Sequence, residues 1–286
     1  MKRELMQEVL EDLKNSRDDY CMIPQSRYSN SQVATSLRAY GYEVPVIRQF
    51  YIQKYGPIYM WEYSNMYKDL LKATGNKPLR ILSVGVGAGL DYIGLHEVAG
   101  DALSKGKIVY HGIDLVDWEY RHPSMSFDQV SVSEIESSSK TMAFLRRGVD
   151  VVIFPKSIME IDEDELLGFF ETLEHHIGEE FYLMVSFIKS TNTIKGREEV
   201  LSVSSYMAEC GYRGNAVVVK NDFDGKVDYE IIAGYRYQYT WQNYFAEHCQ
   251  QCSEMKRNLC SICDHYPMLY KSHLAYGIFR FTKEVN

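Results

Sequence analysis

Nowhere in this 286-residue chain do apolar residues run on for the eighteen or more positions that span a membrane. Its start, MKRELMQEVLEDLK, is too acidic and too interrupted for a secretory signal, so a cytoplasmic location is expected. An excess of positive charge is also missing. The net charge of −8 argues against a broad nucleic-acid surface, because phosphate binding relies on clustered Lys and Arg. No linker or internal repeat interrupts the sequence. What is present suffices for one large domain or two smaller ones, since 45% of the residues are hydrophobic. Tyrosine is abundant at 23 residues, as packing material at core edges or as the lining of an aromatic cleft.

Two regimes of periodicity divide the chain. Residues 1–78 read as a helical N-terminal cap or lid. Leu5, Met6, Val9, Leu10 and Leu13 share one helical face, and Tyr59 to Leu71 reads as a second, aromatic-faced helix. Residues 79–286 alternate strands with helices, which implies parallel βαβ units. Strands are expected at Arg80–Val84, Ile108–Asp114, Phe127–Val132, Asp150–Phe154 and Phe181–Phe187. The helices between and after them are expected at Asp91–Leu103, Ser133–Arg146, Asp162–His176 and Arg197–Cys210, the last closed by Gly211. Strands at Ala216–Asn221, Tyr229–Tyr239 and Leu274–Thr282 then read as antiparallel, with Asn221–Gly225 as the turn joining the first two. The fold class is therefore α/β, a Rossmann-like doubly wound sheet with a terminal antiparallel strand.

Within the first unit, ILSVGVGAGLDYIG at Ile81–Gly94 is an apolar strand that breaks into Gly85, Gly87 and Gly89 and continues into a helix. Glycine permits a sharp turn and a close ligand, and the helix start offers unpaired N–H groups, so a small polar or charged cofactor is expected. The dinucleotide pattern G-x-G-x-x-G does not fit in either register, because Leu90 or Tyr92 falls at its third position. Asp114 ends the second strand, where a carboxylate can accept ribose hydroxyls. It lies further from Gly85 than the roughly 20 residues of the compact dinucleotide unit. Asp117 is its nearest competitor, and Trp118 is placed to stack on an adenine. Val149–Phe154 runs into Pro155-Lys156-Ser157-Ile158-Met159-Glu160 at the carboxyl end of another parallel strand, where ligands bind in such sheets.

The pattern G-x-G-x-G after a strand, together with Asp114 and the order of elements, resembles the class I S-adenosylmethionine-dependent methyltransferases over residues 79–286. The resemblance implies a cofactor site at Ser83, Gly85, Val86, Gly87, Gly89, Asp91, Asp114, Leu115 and Pro155. It also implies methyl transfer beside the loop after the fourth strand, where Lys156 could orient an acceptor, Glu160 could act as base and Ser157 is a third candidate. Pro155 and Ser157 could equally start and cap a helix. The family's motif has an acid two residues before the first glycine, and Ser83 stands there; Asp91 in the first helical turn could compensate. A small-molecule acceptor is favoured over a macromolecule. A non-catalytic nucleoside-binding protein and a zinc-stabilised interaction module stand as alternatives, and the N-terminal helices could form a lid or a dimer surface.

Cysteine spacing adds an independent feature. Cys249, Cys252, Cys260 and Cys263 form two C-x-x-C pairs inside residues 245–268, a four-sulfur knuckle for structural zinc, with an iron–sulfur cluster as the other metal reading. Four protein ligands leave no open position for catalysis.

Overall fold

The computed structural model describes residue 42 and residues 45–188, 192–226 and 270–284. The elements, in chain order, begin with α1 (Pro45–Ala73), β1 (Leu79–Val84), α2 (Leu90–Ser104), β2 (Ile108–Asp114) and β3 (Ser126–Gln129). Next come α3 (Ser139–Leu145), β4 (Val149–Pro155), α4 (Glu163–Glu174) and β5 (Ile177–Ile188), followed by α5 (Asn192–Glu209), β6 (Tyr212–Lys226) and β7 (Tyr270–Lys283). The strands form one seven-stranded sheet in the order β3-β2-β1-β4-β5-β7-β6. β1 through β5 pair in parallel, and β7 runs antiparallel to β5 with Met184 opposite Ile278. The Rossmann-like α/β sheet with a reversed terminal strand is therefore present.

The chain divides into two compact units, residues 60–225 with 271–286 in one and the remainder in the other. In the smaller unit, α1 carries Tyr51, Tyr55 and Tyr59 at helical spacing, and the rings of Tyr55 and Tyr59 stack 5.4 Å apart. In the larger unit the central strands are buried on both faces, as parallel strands must be. Leu82, Val84, Val152, Phe154, Leu183 and Val185 point to one face and pack against Phe169, Phe170, Leu173, Val203 and Met207 of α4 and α5. Alternate residues point the other way. On that side, Ser83 and Tyr110 meet the first turn of α2.

A single glycine sets how closely two helices of this unit approach. A Cβ on Gly94 of α2 would lie 2.8 Å from the Tyr63 Cβ and 2.9 Å from the Ser64 backbone nitrogen of α1. Neither neighbour is the end of a flexible side chain. Gly94→Ala is expected to lower stability by about 1–3 kcal/mol through overpacking, seen as a reduced urea midpoint at unchanged m-value. An unchanged midpoint would show that the helices can part without penalty.

Several elements depart from the sequence expectation. The aromatic helix begins at Pro45, well before Tyr59, and passes through Pro57. Proline removes one internal hydrogen bond, which a helix of 29 residues tolerates. The stretch Ser133–Arg146 is not one helix: a 3-10 turn at Ile135–Ser137 precedes α3. Between them Ser138 is extended, and its hydroxyl accepts the Thr141 N–H as the cap of α3. Asn221–Gly225, expected as a turn, continues β6 as strand. Gly211 does close α5, with φ +84 and its N–H on the Ala208 carbonyl. The expected helix at Leu5–Leu13, the strand at Tyr229–Tyr239 and the four-cysteine knuckle lie outside the described residues.

Candidate functional site at the carboxyl ends of the parallel strands

β1 and β4 are neighbours at the centre of the sheet, and the connections from them lead to opposite sides. The crevice outside their carboxyl ends is where open α/β sheets bind ligands. The loop leaving β1 enters this crevice. Gly85, Gly87 and Gly89 have φ +69, +54 and +72, all left-handed, and Gly89 caps α2. The N–H groups of Gly85 and Val86 both donate to the Ile113 carbonyl of β2, which bends the loop across the sheet end.

Neighbouring side chains occupy the positions where substituents on these glycines would lie. A Cβ on Gly85 would be 2.3 Å from the Ser157 Cβ, and one on Gly89 would be 2.7 Å from the Met125 Sδ. On Gly87 it would touch the Trp118 indole at 3.6 Å. Trp118, expected to stack on an adenine, thus backs the second glycine and is itself buried.

Asp114 binds this loop directly. Its Oδ2 accepts the Gly87 N–H at 2.7 Å, and its Oδ1 accepts the Val116 N–H at 2.8 Å. Burial pushes the carboxyl above its ordinary value, against those two N–H donors. Asp117, the competitor, is engaged at the surface by Arg121, which also donates to the Gly87 and Val116 carbonyls. Leu115, next to Asp114, is 68% exposed.

Behind the loop lies a buried carboxylate. Asp91, in the first turn of α2, is fully buried, and its Oδ2 accepts Ser83 Oγ at 2.9 Å and the Tyr110 hydroxyl at 2.7 Å. The Tyr67 hydroxyl of α1 approaches the same oxygen at 3.4 Å. Burial raises the Asp91 pKa to about 6, partly offset by the hydrogen bonds from Tyr110 and Ser83. The structure thus joins Ser83, standing where an acid was expected, to an acid eight residues on.

The loop after β4 completes the crevice. The Lys156 N–H closes onto the Phe154 carbonyl at 2.9 Å across Pro155, and Lys156 itself has φ +66, a left-handed conformation rare outside glycine. Its ammonium meets the Glu62 carboxylate at 2.6 Å, with side chains only 8% and 0% exposed. The Tyr63 ring lies 5.8 Å from the same nitrogen. Desolvation lowers the Lys156 pKa while Glu62 opposes the shift. Ser157 donates its hydroxyl to the Val84 carbonyl, locking the two loops together. Glu160 is exposed on the 3-10 turn Ile158–Glu160.

Sequence reasoning singles out Lys156 and Ser157 but passes over Glu62 and Tyr110. The signal for Glu62 was an acid inside the aromatic run YMWEYSNMY; nothing in strand IVYHGID distinguishes Tyr110. Cys249, Cys252, Cys260 and Cys263 lie outside the described residues. Among the described residues no group of three or more His, Cys, Asp or Glu side chains could hold a metal. No helix among them is long and apolar enough to cross a membrane.

These features define a class: an open α/β sheet whose glycine-rich first turn and acid-ended second strand face one crevice. The residues present fit an adenosine cofactor. Asp114 has further lone pairs for a ribose, Leu115 offers an exposed apolar face, and Asp91 Oδ1 is buried without a hydrogen-bond donor.

Several solved structures to which the chain is similar are those of methyltransferases. Among solved structures it is similar to the plantazolicin methyltransferase BpumL in complex with a triazolic desmethylPZN analog and SAH, at 10% identity and a TM-score of 0.44, covering 99% of this chain and 100% of that one. It is also similar to a SAM-dependent methyltransferase from Archaeoglobus fulgidus, at 12% identity and 0.40, covering 77% and 94%. A TehB-like SAM-dependent methyltransferase from Corynebacterium glutamicum gives 14% and 0.37, covering 89% and 96%. No known family model matches the sequence, and no curated protein does.

Proposed function

We propose that the chain binds S-adenosylmethionine across the carboxyl ends of β1 and β2 and transfers its methyl group to a small-molecule acceptor. The observation that carries this reading is the left-handed glycine loop tied by its Gly87 N–H to Asp114. When bound, the cofactor supplies a methyl group on a sulfonium, and in-line transfer asks the protein chiefly for alignment.

In this reading Ser83, Gly85, Val86, Gly87 and Gly89 shape the methionine and ribose end of the site. Asp91, held by Ser83 and Tyr110, supplies the carboxylate missing from position 83. Asp114, Leu115 and Pro155 line the adenosine side. Lys156 and Ser157 fix the loop wall on the acceptor side. Glu160, exposed near that wall, remains the candidate base where the acceptor has a proton to lose. We further propose that Cys249, Cys252, Cys260 and Cys263 hold a structural zinc, which requires reduced thiols and hence a cytoplasmic setting.

Two measurements test this. Native mass spectrometry of the purified protein should show a retained nucleoside and one zinc. In calorimetry, Gly87→Val should lose cofactor binding by about 100-fold or more, because a β-branched residue strains at φ +54 and its methyls press on Trp118. Circular dichroism should show the fold retained. Normal binding by the variant would mean that the loop does not carry the cofactor.

A further inference from the structure

The Lys156–Glu62 pair is an unusual construction for its place. It sits at the switch point of the sheet, on a backbone held in a left-handed conformation, with both charges removed from water. A buried ion pair is weak as a source of stability, since desolvation offsets most of the attraction. Strain and buried charge together at a ligand crevice point to a functional requirement.

Lys156 lies one residue from Ser157, whose side chain abuts Gly85 and whose hydroxyl binds the Val84 carbonyl. The root of its side chain therefore stands beside the glycine loop, and its ammonium reaches Glu62 of α1. A bare ammonium there opposes any cation in the crevice. A unit charge within about 10 Å, at an effective dielectric of about 20, changes the binding constant of a cation by on the order of tenfold.

We infer that Glu62 is a positioning residue that cancels the charge of Lys156, so that this ammonium does not weigh against a sulfonium relative to the neutral thioether left after transfer. This rests on the cofactor reading above. Tyr63 assists with the face of its ring, 5.8 Å from the ammonium. Lys156 keeps the loop after β4 pinned to α1, and Glu62 keeps that pin electrically silent.

The test compares S-adenosylmethionine with S-adenosylhomocysteine by calorimetry on the full-length protein. The two ligands share their adenosine and amino-acid ends and differ in the charge on sulfur. Glu62→Gln should weaken the sulfonium ligand on the order of tenfold more than the thioether. The double variant Glu62→Gln with Lys156→Met, which removes one charge of each sign, should return the ratio of the two dissociation constants to the wild-type value. General damage to the fold weakens both ligands by the same factor, and that outcome, or failure of the double variant to restore the ratio, overturns the inference. Should Glu62→Gln not fold, Lys156→Met alone removes the cation while the Glu62 carboxylate stays, and must shift the ratio toward the sulfonium; an unchanged ratio is again fatal. Wild-type protein that binds neither ligand overturns the cofactor reading itself, a result distinct from an unchanged ratio.

Discussion

Gly85→Ala is expected to destabilise the protein by about 3–5 kcal/mol, combining the left-handed backbone penalty of about 1–2 kcal/mol with a collision in a packed interior. The collision is specific. The new methyl would sit 2.3 Å from the Ser157 Cβ and 2.8 Å from its Oγ. Ser157 cannot rotate away, because its Cβ is fixed by the backbone, and its hydroxyl is spent on the Val84 carbonyl. Relief requires the loop after β4 to move, and Lys156 beside it is held by Glu62. Combining Gly85→Ala with Ser157→Gly removes the atom struck, so the double variant should recover the steric part and retain the backbone penalty. A double-mutant cycle by urea unfolding measures the coupling, expected at about 1–3 kcal/mol. Simple additivity of the two substitutions would show that the loops are not locked through this contact.

The second large effect concerns pH, because two buried groups titrate in opposite senses over the same range. Asp91 has its pKa raised from 3.8 to about 6, chiefly by burial. The folded state therefore holds this proton more tightly than the unfolded chain, and the associated stability is present below pH 3.8 and lost as pH rises through 6. His111 is lowered from 6.5 to about 4, by burial first and then by the charge of Lys140. Its neutral ring bridges Ser126 at 2.9 Å and Thr141 at 3.0 Å. That stability is present above pH 6.5 and lost as pH falls toward 4.

Each shift corresponds to about 3 kcal/mol at 1.36 kcal/mol per pH unit, so the two nearly cancel in the wild type. Asp91→Asn removes one side of the balance, and its stability should fall by about 2 kcal/mol more than that of the wild type between pH 6.5 and 4. His111→Gln should do the reverse and gain relative to the wild type on acidification. Urea midpoints measured across this range decide the matter; parallel profiles for the three proteins would mean that neither group is perturbed as described.

β1, β2 and β4 were legible because each is a short, largely apolar run of six or seven residues. The glycine loop was equally legible, since three glycines in alternation leave few backbone solutions. What escaped depends on contacts between distant positions. Glu62 finds Lys156 across 94 residues, a pairing that no local pattern contains. Asp91 gathers Ser83 and Tyr110 only because β1 and β2 pair with Ile81 opposite Tyr110, which brings both side chains to the same face. The turn expected at Asn221–Gly225 fails for a related reason. Local turn chemistry was overridden by strand pairing, since β6 lies beside β7. Helix α1 also runs on through Pro57, because a long element tolerates one missing hydrogen bond.

The reversed strand also governs the order in which the molecule can be built. β7 pairs with β5, so that Ile188 waits for Leu274 and Glu180 for Thr282. β6 joins the sheet beside β7 and therefore follows it. At a synthesis rate of roughly 5–20 residues per second, the edge of β5 stays open for several seconds after it leaves the ribosome. Such an edge is a template for pairing with another chain. The glycine loop, built from β1 and β2, can form early in translation, whereas the sheet that supports it becomes complete only with the arrival of residues 270–283.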